Sequence, residues 1–451
     1  MPKADTIFAL SSAPGRAGVA VVRISGPAAG EVVDRMAPPR GDTRRAVLRH
    51  IRHHQSGDVL DDALVLWLQG PRTETGEDMA ELHLHGSPAI VSAVLEALGR
   101  FPGCRMAEAG EFTIRSFRNG KIDLAQVEGL ADLIAADTEA QRKQALAQAQ
   151  GALSKLCEGW RGSLIEASAL AEAAIDFSDE ADVADDAFAR ARAIVAEVLP
   201  TILAHLDDGH RGEILRDGFR VVLAGAPNAG KSSLLNALAR RDAAIVSDEA
   251  GTTRDAIEVR LDLSGLPVIV TDTAGIREAT GAIEREGIRR SLEHVREADL
   301  VLWLCDAREA LPPMPAEVAS RDQAQSLTVA TKIDLLPAAS PDAPPPLPFA
   351  ADLAISVRTG EALNALVQRI AAIAGQRIGD QSSPALTRER HRESLNQCAE
   401  ALARFLAGDA DQHELRAEDL RMAVQALGRI TGRVDVEDIL GQIFSRFCIG
   451  K

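Results

Sequence analysis

The chain has 451 residues, a formal charge of −16 at pH 7, 46% hydrophobic and 26% charged side chains, which is ample for burial and too much for a single ordinary core. No apolar run approaches the roughly 18 residues of a membrane crossing and the first residues lack a secretion-signal core, so the sequence reads as soluble and cytoplasmic, with no membrane partner. Its five cysteines (Cys104, Cys157, Cys305, Cys398 and Cys448) are far apart and show no zinc-type pairing, and their odd number argues against a closed disulfide framework and predicts free thiols.

Acidic and basic residues balance over 1–120, so the acidic excess lies in 121–451. No global field attracts nucleic acid, and with aromatics at 3% and no tyrosine a base-stacking platform has few residues to use. An RNA partner then requires a local basic patch or help from a second protein.

Residues 1–120 alternate short β-like runs with turns (TIFAL, VAVVRISG, DALVLWLQG and the period-two stretch 79–85), the pattern of an α+β domain. Over 121–215 the composition shifts to Ala, Leu, Glu and Gln with apolar residues three and four apart, which predicts helices. An acidic, turn-like stretch at 175–183 is expected to interrupt them, and Pro200 to kink the helix that follows. Residues 216–376 change to apolar runs separated by glycine-containing loops and helical segments: FRVVLAG, AIEVRLDL, LPVIVTD, LVLWLCD, LTVATKID and LAISVRTG. Strands alternating with helices imply a parallel-type α/β sheet, with the proline-rich stretch 337–348 as a surface loop inside it. Residues 377–451 return to helix, so one helical domain is built from both flanks with the α/β domain inserted between them.

The segment Gly225-Ala226-Pro227-Asn228-Ala229-Gly230-Lys231-Ser232 fits G-x-x-x-x-G-K-S between a strand and a helix, the context this motif requires. Backbone N–H groups there cradle phosphates, Lys231 reaches the outer ones and the Ser232 hydroxyl ligates magnesium. Downstream, Asp272-Thr273-Ala274-Gly275 ends an apolar strand, where a carboxylate holds a magnesium-bound water and a glycine N–H meets the terminal phosphate. Between them, Gly251-Thr252-Thr253-Arg254-Asp255 offers the Thr253 hydroxyl to complete the metal shell, so that loss of the terminal phosphate would release this loop. Thr331-Lys332-Ile333-Asp334 supplies a carboxylate for the N1–H and 2-amino donors of guanine, which favours GTP over ATP, and Ser356-Val357-Arg358 closes over the base. Asn is usual where Thr331 stands and Ala where Val357 stands. Ile276 occupies the position of the water-orienting Gln of Ras-type enzymes, so water must be placed from elsewhere; Arg277, Glu278, Glu284 and Arg285 are the downstream candidates, and spacing alone does not choose among them.

These motifs, together with PGRAGVAVVRISG (14–26), GEFTIRSFRNGKIDLAQVEGLADLI (110–134) and the terminal FCIGK (447–451), resemble the bacterial tRNA-modification GTPase family MnmE, also called TrmE, from the first strand to the last residue. Ala17 departs from the glycine usual in the first of these blocks. The resemblance implies a folate-binding and dimerising N-terminal domain, a discontinuous helical domain and an inserted Ras-like P-loop domain, in a homodimer that works on tRNA with the FAD-dependent protein MnmG. It places nucleotide contacts on Asn228, Ala229, Gly230, Lys231, Ser232 and Ser233, on Ser247, Asp248, Glu249, Ala250, Gly251, Thr252 and Thr253, on Asp272, Thr273, Ala274 and Gly275, and on Thr331, Lys332, Asp334, Ser356, Val357 and Arg358. Magnesium (Mg2+) falls to Ser232 and Thr253, potassium (K+) to Asn228, Ser247, Glu249 and Thr252, and the water-organising role to Glu284. Contacts to 5-formyltetrahydrofolate or 5,10-methylenetetrahydrofolate fall on Arg23, Glu81, Lys121 and Lys451. Cys448 has two readings, a functional thiol and an apolar packing residue, and His53, His54, His83 and His85 read as structural. The implied activity is GTP hydrolysis coupled to modification of the wobble uridine of certain tRNAs. A ribosome-assembly switch of the Era or Der type is the alternative, and a folate-dependent one-carbon enzyme with a regulatory GTPase part is a third.

Overall fold

The computed structural model describes residues 5–176, 181–241, 243–245, 258–272, 293–314, 316–320, 325–337, 346–379, 384–409, 412–434 and 450. It divides into two compact units, residues 1–131 with 427–451, and residues 132–426. Among the described residues no helix is long and apolar enough to cross a membrane.

The first unit holds a six-stranded sheet in the order β3-β4-β5-β2-β1-β6, formed by β1 (Thr6–Leu10), β2 (Ala17–Ser25), β3 (Ala46–Arg52), β4 (Val59–Leu68), β5 (Met79–Gly86) and β6 (Cys104–Met106). All neighbours are antiparallel except β1 and β6. Alternation along β5 buries Ala80, Leu82 and Leu84 in one core with Phe8, Val22 and Ile24, and the helices α1 (Ala29–Met36) and α2 (Pro88–Gly99) close that core with Val32, Val33, Met36, Val94 and Leu98. A third helix, α3 (Glu111–Arg118), lies in a stretch for which the sequence pattern names no element; it is short, and Phe112 is its large buried anchor. The chain end returns to this unit: Gly450, at φ +103°, accepts a 2.8 Å bond from the Ser11 hydroxyl, and a Cβ there would lie 2.2 Å from the Leu10 carbonyl oxygen.

Helix α4 (Leu124–Ala135) leads into α5 (Glu139–Ala149), whose start is fixed by a capping box between Thr138 and Gln141. The long helices α6 (Ala152–Asp176) and α7 (Ala181–Leu206) pack side by side, followed by the short α8 (Arg211–Asp217). The expected interruption at 175–183 is narrower than its acidic composition implies: Ile175 and Asp176 complete α6 and Ala181 already begins α7. Helix α7 runs through Pro200 to Leu206, so the proline does not end it.

The inserted sheet has the order β12-β11-β10-β7-β9-β8, from β7 (Phe219–Gly225), β8 (Glu258–Leu263), β9 (Leu266–Asp272), β10 (Leu300–Asp306), β11 (Ser326–Thr331) and β12 (Leu353–Ala354). It is parallel apart from β8. Every residue of the central strand β10 is buried, as a strand covered on both faces requires. Helices α9 (Lys231–Ala239), α10 (Ala316–Ala319) and α11 (Leu363–Ile378) accompany the strands; Leu234, Leu235, Leu366 and Ile370 pack on one core, and Val301, Trp303 and Val318 belong to another. The chain then enters α12 (Glu389–Ala407), which packs on α7, and α13 (His413–Thr431). The helices before and after the sheet therefore meet in one bundle. The fold is α/β and α, with an antiparallel-rich α+β front.

Candidate functional site

Parallel register brings the chemistry to one edge of the inserted sheet. Gly225 on β7 is level with Leu304 on β10, Asp272 on β9 with Leu223 on β7, and Asp306 on β10 with Thr331 on β11, so the carboxyl ends of four strands converge. In parallel α/β sheets this is where ligands bind.

The loop after β7 turns on three residues with positive φ, Gly225 (+143°), Asn228 (+65°) and Gly230 (+94°). A side chain at Gly225 would meet the Leu304 carbonyl oxygen at 2.3 Å, so only glycine allows β7 to leave the sheet there. Asn is among the few other residues that tolerate the left-handed region. The resulting concavity, ending at the N-terminus of α9, is an anion cradle of backbone N–H groups. Lys231, only 7% exposed, folds across the loop and donates to the carbonyls of Gly225 and Ala226, both at 3.0 Å. Burial lowers the pKa of its ammonium, with Asp272 opposing that shift.

Ser232 Oγ donates to Asp272 Oδ2 at 2.6 Å, while the buried Oδ1 of the same carboxylate has no hydrogen-bond partner among the described residues. A hydroxyl beside a carboxylate with an orphaned oxygen suits a hard cation, so this pair fits magnesium. Only Asn228 of the four expected potassium ligands is described; Ser247, Asp248, Glu249, Ala250, Gly251, Thr252 and Thr253 lie outside the described residues, as do Thr273, Ala274, Gly275 and Glu284.

The base-reading loop is tied to the phosphate loop. Thr331, 1% exposed, donates its hydroxyl to the Ala229 carbonyl at 2.7 Å and lies 3.1 Å from the Cys305 carbonyl. Lys332 Nζ donates to the Asn228 carbonyl at 2.5 Å and to Asp306 at 3.0 Å. Asp334 accepts from Ser356 Oγ at 2.5 Å and from Arg358 Nε at 2.7 Å, and these two partners hold its carboxyl below the usual range. The carboxylate needed to read guanine is therefore anionic and fixed in orientation. Sequence reasoning missed Asp306, whose carboxyl is held well below the ordinary range by Arg308 first and then Lys332. Its signal was a carboxylate ending an apolar run, LVLWLCD.

In the first unit Arg23 and Glu81 are directly opposite on β2 and β5 and joined at 3.2 Å, and Arg23 also pairs with Glu74 at 2.8 Å. His83 Nε2 lies 3.2 Å from the other oxygen of Glu81. His85 Nδ1 likewise meets Asp61 at 2.8 Å. Lys121 reaches the Pro71 carbonyl, in the loop that carries Glu74. A guanidinium beside a carboxylate is complementary to a heterocycle edge that presents N–H donors next to a carbonyl, so this group fits a pterin. Glu74 and His83 touch this pair directly; Lys451 and Cys448 lie outside the described residues.

A strand, phosphate loop and helix combined with a Lys-x-Asp base reader on a parallel sheet define a P-loop guanine-nucleotide hydrolase. The family description "GTP-binding protein TrmE N-terminus" matches residues 6–121 and "MnmE helical domain" matches residues 124–448. A tRNA modification GTPase MnmE of Methylorubrum populi is 55% identical over 99% of this chain and 98% of its own length. Its counterparts in Methylobacterium sp. and Maricaulis maris are 54% and 50% identical, each over 99% of this chain and over 100% and 99% of their own lengths. The chain belongs to the MnmE family and is a GTPase. The match over the front 6–121 segment and the whole length sets aside the Era or Der alternative.

The brace from Thr331 yields a direct test. Thr331→Val keeps the shape and orphans the Ala229 carbonyl at a cost of about 1–2 kcal/mol, so GTP affinity should fall about 5- to 30-fold by isothermal titration. Unchanged affinity would show that the phosphate loop holds its form without the hydroxyl.

Proposed function

We propose that the protein is a potassium-activated GTP hydrolase that acts with the FAD-dependent MnmG on the wobble uridine, position 34, of certain tRNAs. The product carries an aminomethyl or carboxymethylaminomethyl group at C5, with the one-carbon unit supplied by 5-formyltetrahydrofolate or 5,10-methylenetetrahydrofolate. The observation that carries the reading is the braced edge at which Lys231, Ser232, Asp272 and Asp334 share one sheet end. Its domains are taken as 1–120, 121–215, 216–376 and 377–451, working as a cytoplasmic homodimer.

In this reading Ser232 and Thr253 hold magnesium, whose charge neutralises the phosphates. Asn228, Ser247, Glu249 and Thr252 hold potassium, which supplies positive charge where other systems insert an arginine. Glu284 orients the attacking water in place of the Gln that Ile276 replaces. Asp334 selects guanine, assisted by Ser356, Val357 and Arg358, and Thr331 braces the loop below. In the first unit, Glu81 accepts from the amino and ring N–H donors of the pterin, and the cations of Arg23, Lys121 and Lys451 hold the glutamate tail of the folate.

GTP turnover tests the hydrolytic half. Replacing potassium by sodium should slow it strongly, and Glu284→Ala should lower kcat about 100-fold or more with GTP binding retained; near-normal turnover in that variant removes Glu284 from the mechanism. Equilibrium dialysis tests the folate half, where Arg23→Ala should weaken 5-formyltetrahydrofolate binding about tenfold or more, and an unaltered affinity rejects the contact. For the whole function, mass spectrometry of tRNA nucleosides from cells lacking the protein should show the C5 modification lost; normal wobble uridine modification sinks the assignment.

A further inference from the structure

The second unit contains a cavity of about 460 Å³ that includes no residue of the nucleotide or folate sets. It is within the size range of small-molecule sites. Leu153, Leu215 and Ile378 form its apolar lining, and Lys143, His205 and Arg211 add polar and cationic groups. Hydrogen bonds hold the walls apart. Gln144 donates to the Gly212 carbonyl at 3.3 Å, Gln141 to the Arg216 carbonyl at 2.9 Å, and the Thr387 hydroxyl to Gln148 at 3.0 Å. Gly212 packs so closely on the segment after the sheet that a Cβ would lie 2.3 Å from the Leu386 carbonyl oxygen. These ties join α5 and α8 to the 384–387 segment, so the space does not close by simple repacking.

Charge decides what suits it. The acid in the lining, Asp208, already accepts from Arg392 at 2.7 Å and from the His210 N–H at 3.0 Å. Arg211 donates Nε to the Asp208 carbonyl at 2.7 Å and has no carboxylate partner among the described residues. Among the described residues, the one ion pair of Lys143 is with the exposed Glu139, at 3.5 Å, a pair of little strength in water. A locally cationic rim over an apolar lining suits an amphipathic anion.

We propose that this cavity binds a small organic anion, a carboxylate, sulfonate or phosphate carried on an apolar body. Its walls include residues from both places where the chain passes between the helices and the inserted sheet, Arg211, Gly212 and Leu215 of α8 on the way in and Ile378, Pro384 and Ala385 on the way out. A ligand touching both crossings binds unequally to different arrangements of them and thereby alters GTP turnover.

The probe is 1-anilinonaphthalene-8-sulfonate, titrated by fluorescence against the full-length protein. Saturable binding of one probe per chain is expected, weakened about tenfold in the double variant Lys143→Glu, Arg211→Glu, and abolished by Ala147→Trp, which fills the cavity from an exposed helix position. Circular dichroism checks folding, and the charge variant, confined to exposed side chains, decides if Ala147→Trp is misfolded. Equal affinity in the parent and the folded variants overturns the site, because the probe then sits elsewhere. Saturating probe should change parental GTP turnover about twofold or more and leave Ala147→Trp unaffected; no change in the parent overturns the coupling.

Discussion

Two side chains at the end of β11 hold the phosphate loop by its carbonyl oxygens. Thr331 takes Ala229 and Lys332 takes Asn228, while Asp306 at the end of β10 keeps the Lys332 ammonium in place. A loop rich in positive φ has little intrinsic preference for one shape, and its usefulness depends on N–H groups converging on one point. Binding its carbonyls from below fixes the peptide planes and so leaves the N–H groups directed at the anion. The same two residues flank the base-reading carboxylate, so phosphate recognition and guanine recognition share one rigid support.

That support is a product of register. Strands β7, β9, β10 and β11 each end in a residue that matters, Gly225, Asp272, Asp306 and Thr331, and parallel pairing places those ends side by side. Burial of β10 on both faces prevents slippage, because a shift along the strand would carry Asp306 into an apolar layer.

The six strands of this sheet were readable because each is a short apolar run closed by a turn residue, and the phosphate loop because its spacing is fixed by local geometry. What could not be read depends on distance along the chain. Thr331 and Ala229 are 102 residues apart and Arg23 and Glu81 are 58 apart, so neither pairing has a local signature. Thr331 stands out in the sequence only as a departure from the usual Asn, since its bracing role exists only once β11 is set beside the phosphate loop. Helix α3 was missed for another reason: eight residues are too few for a helical period to stand out, and its identity comes from tertiary anchors such as Phe112 and the ion pairs of Glu111 with Arg105 and Arg115.

Net charge bears on how a tRNA would be gripped. Non-specific affinity for a phosphate backbone grows with the number of Lys and Arg side chains that displace counterions, and a chain at −16 repels that backbone over most of its surface. Arg23 and Arg115 of the first unit do not relieve this, because Arg23 already faces two carboxylates and Arg115 pairs with Glu77, Glu111 and Asp5. Both arginines are thus used to bind the unit's own acids. A role in tRNA modification then places the burden of backbone binding on local cationic contacts rather than on net charge.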